Sequence, residues 1–127
     1  MVVDGVGIDI VEVSRIARMM KNKGFLARVF TEAEIRECSK VRHPEQVFAA
    51  RFAAKEAVGK ALGTGVGGRL SWLDIEIIRR PKGKPNITIK DSAKTKFQVS
   101  GVKISMSHTE QYAVAVAIVN YELKIKN

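Results

Sequence analysis

The segment from Phe48 to Gly68, FAARFAAKEAVGKALGTGVGG, decides how the rest of the chain must fold. It is rich in alanine, the strongest helix former, and contains no proline. Gly63, Gly65, Gly67 and Gly68 follow, and glycine at positive φ is a common way for a helix to end. At roughly 100° per residue, its apolar side chains do not keep to one stripe. Val47, Phe48, Phe52, Val58 and Leu62 fall in one sector. Ala50, Ala53, Ala54, Ala57 and Ala61 fall in another, a flat surface that a neighbour can approach closely. The sequence therefore predicts a long central helix buried nearly all round. Yet that helix carries Arg51, Lys55, Glu56 and Lys60, and a buried charge needs a partner. Glu56 and Lys60 are four residues apart. They form either a helical ion pair worth a few tenths of a kcal/mol or a carboxylate for a metal beside an ammonium for a phosphate.

The chain has 127 residues, enough for one domain, 1–127, with a real core. A hydrophobic content of 46% excludes disorder. Lysine plus arginine number 22 against 13 acidic residues, a formal charge of +9. Such a surface attracts polyanions: nucleic acid, anionic lipid, a phosphorylated small molecule or an acidic protein. The longest apolar run, Ala113 to Val119, is far short of the roughly 20 residues of a membrane-spanning helix. MVVDGVG lacks the basic and apolar regions of a secretory signal. A lone Cys38 suits a reducing compartment and a packing role. A cytoplasmic protein without membrane or nucleic-acid partners is the expectation. A basic module that binds nucleic acid without catalysis is the second reading, although aromatic residues for base stacking are sparse.

Along the chain, Val2 to Val11 alternates as a strand. Gly5 and Gly7 clear the face on which Asp9 stands, which either admits another backbone or leaves Asp9 open to a ligand. Ser14 is a candidate N-cap for a helix running to about Asn22. Arg15, Arg18 and Met19 share a face of it, either solvated or suited to docking an acidic helix. Phe25 to Phe30 reads as a connector with apolar residues to bury. Thr31 and Glu34 have capping-box spacing for a helix ending near Lys40. Pro44 suits the first position of the long helix, with Arg42 and His43 placing positive charge just before it. Trp72 to Arg80 and Ile87 to Lys90 read as a hairpin around the turn Arg80-Pro81-Lys82-Gly83-Lys84-Pro85. Asp91 to Phe97 suits a helical turn or two. Val102 to Met106 and Tyr112 to Val119 are two more strands. The last is apolar on both faces, which argues a central strand covered on both sides.

GTGVGG closes a helix instead of opening one after a strand, so it is not a dinucleotide loop. One cysteine and two histidines cannot supply a usual zinc site. No nucleophile elbow surrounds Ser105 or Ser107 beside His108, which argues against a serine triad. What remains is a pair of carboxylates, Asp9 and Glu56, and the cations Arg42, His43, Arg51, Lys60 and His108. Mg²⁺ typically takes one or two protein carboxylates and fills its shell with water and substrate phosphates. Phosphoryl-type transfer asks a protein mainly for positioning and charge neutralisation.

These residues resemble the small trimeric class of 4'-phosphopantetheinyl transferases, the holo-[acyl-carrier-protein] synthases. GIDIVEVSRI (Gly7 to Ile16), RVFTEAE (Arg28 to Glu34) and RFAAKEAVGKALGTG (Arg51 to Gly65) carry the resemblance, and LSWLDIEI, GKP and SMSHTEQYAVA follow in order. The segment Asp91 to Gly101 shows little of the family pattern. The resemblance implies an α+β fold, with an antiparallel sheet packed around one long central helix. It implies a homotrimer with active sites at the subunit interfaces. The implied reaction moves 4'-phosphopantetheine from coenzyme A to a serine of acyl carrier protein, releasing adenosine 3',5'-bisphosphate, in support of fatty acid biosynthesis. Asp9 and Glu56 would hold Mg²⁺ and, with Lys60, form the catalytic set. Arg42, His43, Arg51, Lys60, Gly63, Gly65 and His108 would contact coenzyme A. Arg15, Arg18 and Met19 would dock the carrier protein. Either Glu56 or a water on the ion would take the serine proton.

Overall fold

The computed structural model describes residues 2–80 and 83–122. The order is strand β1 (Val2–Glu12), helices α1 (Val13–Met20), α2 (Phe25–Val29), α3 (Glu32–Ser39) and α4 (Pro44–Leu62), strands β2 (Ile75–Arg79) and β3 (Pro85–Ile89), helix α5 (Asp91–Phe97), and strands β4 (Val99–His108) and β5 (Tyr112–Glu122). The architecture is α+β. One antiparallel sheet runs β1-β5-β4, and β2 and β3 form a separate antiparallel hairpin. Helix α4 lies across the larger sheet and packs mainly on β1 and β5.

Helix α4 has Pro44 in its first turn, where the missing N–H is no loss, and ends at Gly63 with φ 76°. Between Phe48 and Ala61 every residue is buried except Glu56 and Lys60. The two fully enclosed cations have partners, as their burial demands. Arg51 donates to the carbonyl of Ile77 at 2.9 Å and to Glu37 at 2.5 Å. Lys55 donates to Glu34 at 2.7 Å and to the carbonyls of Val29 at 2.8 Å and Trp72 at 3.1 Å. Burial pushes the Lys55 ammonium below its usual range, and Glu34 opposes that shift. Glu34 also completes the capping box with Thr31 and accepts from the Ile77 N–H at 2.9 Å. One buried carboxylate thus ties α3, α4 and β2 together. Removing one partner of such a pair typically costs about 3–5 kcal/mol, because the other charge is left buried alone.

The glycines of β1 are explained by backbone approach. A Cβ on Gly7 would stand 1.9 Å from the carbonyl oxygen of Ala57, and one on Gly5 would stand 2.2 Å from that of Ala61. The cleared face is filled by α4 itself, so the glycines do not open Asp9 to a ligand. They bring α4 to it.

Four local expectations are corrected. Helix α1 starts directly from the strand, with Glu12 at the N-cap position and no side-chain cap; Ser14 lies in its first turn. The Val13 N–H is held instead by the carbonyl of Gln111 at 2.8 Å, which fixes the helix start. The connector after Gly24 is the short helix α2, with Phe25, Val29 and Phe30 buried. Trp72–Asp74 is a 3-10 turn capped by Ser71, because the Trp72 ring stacks on Phe52 at 5.1 Å and leaves the strand line. Strand β5 is central, but only its α4 face is covered in a single chain. On the opposite face of the sheet, Val6, Ile8 and Ile10 are 65%, 62% and 65% exposed. In the turn between β2 and β3, Pro81 and Lys82 lie outside the described residues.

Candidate active site

Asp9 shares the inward face of β1 with Gly5 and Gly7, so the contact of those glycines with α4 sets its side chain beside the helix. There Lys60 Nζ donates to Asp9 Oδ1 at 3.0 Å and to the carbonyl of Ile8 at 2.9 Å. The helical pair Glu56–Lys60 is replaced by this contact between elements. Glu56 stands close enough to feel both groups. Its carboxyl is held above the usual range, first by burial and then by the charge of Asp9, while Lys60 and Arg15 pull it down. The structure therefore brings Asp9, distant in the sequence, to Glu56 and Lys60 of one helix face.

The donor set suits a hard divalent ion that shares its shell with a substrate. Two carboxylates lie within electrostatic reach of each other at a partly buried point, a combination that a cation relieves. No cluster of three or more His, Cys, Asp or Glu side chains able to hold a metal is present among the described residues. An all-protein cage is thus not on offer, whereas two carboxylates plus phosphate oxygens is a normal Mg²⁺ arrangement.

Beside Glu56 opens a cavity of about 460 Å³. Arg15 and Met19 of α1 line it, as do Arg28, Phe52 and Trp72. The Arg15 guanidinium sits 5.8 Å from the centre of the Phe52 ring. Arg18 is exposed on the same short helix. A basic rim over an aromatic floor fits an acidic protein segment with apolar residues of its own. The sequence reading named Arg15, Arg18 and Met19 here but missed Phe52 and Trp72, which only the packing of α4 brings to the surface of this cavity.

Arg51 and His108 lie elsewhere. His108 ends β4, on the opposite edge of the sheet from β1, and faces cavities of about 240 and 450 Å³. Arg51 forms part of their floor, although its guanidinium is engaged by Glu37, Ile77 and the sulfur of Cys38. Arg79 and Arg80 add positive charge at this place. The sequence reading assigned both only to the strand and turn around Pro81, and nothing short of the fold shows that β2 packs on α3 and is tied to α4 through the Arg51 bond to the Ile77 carbonyl. Arg42 and His43 are exposed just before α4, and His43 Nδ1 is 3.6 Å from Glu45. Their neighbour Val41 lines the same cavity. Gly63 and Gly65, at φ 76° and 68°, follow directly after the turn that bears Lys60. Their loop folds back so that the N–H groups of Thr64 and Gly65 reach the carbonyl of Gly59 at 3.2 and 3.1 Å. The cavities around His108 and the cavity around Glu56 share no residue. Within one chain, the carboxylates and the outlying cations are separate.

Comparison with known proteins gives a consistent answer. The 4'-phosphopantetheinyl transferase superfamily matches residues 5–117. The chain is 49% identical to the holo-[acyl-carrier-protein] synthase of Koribacter versatilis over 119 residues, covering 90% of this chain and 95% of that protein. It is 47% identical to the synthase of Chloroherpeton thalassium, again covering 90% and 95%. Among solved structures, it resembles the Helicobacter pylori holo-[acyl-carrier-protein] synthase in complex with coenzyme A, with a TM-score of 0.82, 38% identity, and coverage of 90% of this chain and 98% of that one. Signature segments, fold and relatives agree: the chain belongs to the 4'-phosphopantetheinyl transferase superfamily, with the holo-[acyl-carrier-protein] synthases, and is a transferase.

Proposed function

We propose that this enzyme transfers 4'-phosphopantetheine from coenzyme A to a serine of apo-acyl carrier protein, with Mg²⁺ at Asp9 and Glu56 and release of adenosine 3',5'-bisphosphate. The observation that carries this reading is the convergence of Asp9, Glu56 and Lys60 at the contact of β1 with α4. Solved relatives bind coenzyme A by name, among them the Helicobacter pylori protein and that of Bacillus anthracis. In the reaction, the serine oxygen bonds to the phosphorus that carries pantetheine. The bond from that phosphorus to the bridging diphosphate oxygen breaks, that oxygen leaves with adenosine 3',5'-bisphosphate, and the serine proton passes to Glu56 or to water. Held by Asp9 and Glu56, the ion would supply positive charge to neutralise the diphosphate. Lys60 adds a second positive charge for the same oxygens, and Gly63 and Gly65 let main chain come near them. Arg15, Arg18 and Met19 orient the acidic carrier protein so that its serine meets the diphosphate.

The nucleotide end of coenzyme A requires the other cations: Arg42, His43, Arg51 and His108, joined by Arg79 and Arg80. Because these lie apart from Glu56 in one chain, the complete site needs two neighbouring subunits. The exposed apolar face of Val6, Ile8 and Ile10 supports this reading, since such a face asks for a protein partner. A homotrimer with active sites at its interfaces joins both features. The buried, unpaired Cys38, whose thiol burial pushes up to about 11, is suited to the reducing cytoplasm, where the product would serve fatty acid synthesis. No helix among the described residues is long and apolar enough to cross a membrane.

Mass spectrometry of a carrier protein before and after incubation with enzyme, coenzyme A and Mg²⁺ tests the reading. The phosphopantetheine mass increment is expected with the wild type. Glu56→Gln and Asp9→Asn are each expected to lose nearly all transfer while keeping the native circular dichroism. Near-normal transfer by either variant would overturn the metal assignment.

A further inference from the structure

The ammonium of Lys60 does not stand free above the site. It is only 3.0 Å from Asp9 Oδ1, one of the few oxygens the divalent ion has available, and its second bond, to the Ile8 carbonyl at 2.9 Å, holds it there. Lys60 is about half exposed and Asp9 is 17% exposed, so the pair is partly sheltered from solvent. The other charges near the carboxylates are Glu56 itself and Arg15.

We infer that Lys60 competes with the divalent ion for Asp9, so that it restrains metal binding until the diphosphate of the substrate draws the ammonium away. The inference rests on the Mg²⁺ reading of Asp9 and Glu56. It gives Lys60 a role apart from phosphate neutralisation: it makes the ion and the substrate bind best together. An ammonium and a divalent ion on one carboxylate repel each other. Binding the ion alone therefore works against the Lys60–Asp9 contact. A diphosphate offers the ammonium a new anionic partner and frees Asp9. By linkage, whatever one ligand gains from the other's presence is gained equally in return.

The test uses Mn²⁺ alone, without coenzyme A, titrated into the full chain and followed by electron paramagnetic resonance of the free ion. Lys60→Gln is expected to bind Mn²⁺ roughly two- to fivefold more tightly than wild type, the range in which loss of a partly exposed ion pair falls. Lys60→Arg keeps the charge and is expected to restore weak binding. Arg15→Gln removes an equal charge that does not sit on Asp9, and it is expected to change the affinity clearly less than Lys60→Gln. Unchanged or weaker Mn²⁺ binding by Lys60→Gln would overturn the inference, as would equal gains from Lys60→Gln and Arg15→Gln. Asp9→Asn separates this result from failure of the underlying reading. If that variant binds Mn²⁺ as wild type does, Asp9 is not a ligand and both ideas fall. If it loses binding while Lys60→Gln shows no gain, only the competition is refuted.

Discussion

Lys55 and Glu56 are neighbours in the chain with opposite roles. Lys55 is fully enclosed and spends its three donors on Glu34, Val29 and Trp72, so it is scaffold. Glu56 is half-buried, has its carboxyl held above the usual range by burial and by Asp9, and lines the candidate site. A carboxyl whose pKa is raised on folding favours the protonated native state. That contribution is full below the ordinary carboxylate range and disappears as pH rises through the raised value. Above the raised value, the ionised Glu56 therefore lowers stability. Glu56→Gln is expected to melt no lower than wild type at pH 7 without divalent ions, and the difference is expected to shrink as pH falls toward the ordinary carboxylate range. Calorimetric melting at a series of pH values checks this; a variant clearly less stable at pH 7 would show that Glu56 is supported by its surroundings. The sequence made Asp9 and Glu56 legible as unexplained acids in apolar settings. It could not show Lys60 choosing Asp9 over Glu56, because that choice depends on how closely strand and helix pack.

At the scale of elements, the glycines separate into two kinds. Gly24 and Gly63, at φ 90° and 76°, turn the chain, and no atom beyond their chain neighbours lies within 4 Å of where a Cβ would stand. Gly7 makes room. Gly7→Ala is expected to cost about 3 kcal/mol or more, since the clash is with helix backbone and no rotamer relieves it. Gly24→Ala is expected to cost about 1 kcal/mol, for backbone strain alone. Denaturant midpoints compare the two, and equal losses would argue against close packing as the reason for Gly7. Most elements were legible for local reasons. Alanine content announced α4, Pro44 and Gly63 bounded it, and Thr31 with Glu34 announced α3. Ser14 and Trp72 misled because long-range partners, the Gln111 carbonyl and the Phe52 ring, decide where α1 begins and where the strand line is broken.

At the scale of the whole molecule, one sheet has an α4 face and a bare apolar face. Alternation along β1 was readable from sequence, but which face α4 would cover was not, since glycine gives no hydropathy signal for a buried side. Ile8→Glu on the bare face is expected to give single-chain mass in sedimentation equilibrium and to lose most transfer, because half of each proposed site then lacks its neighbour. An unchanged oligomer would move the interface elsewhere. The contact of Gly5 and Gly7 with α4 has a consequence beyond space-filling. Where main chain rests on main chain, no rotamer can adjust the gap between the strand bearing Asp9 and the helix bearing Glu56. Their spacing is inherited at folding and is not assembled when a ligand arrives, so the cost of preorganising the proposed reaction centre is met once, when the chain folds, and not at each turnover.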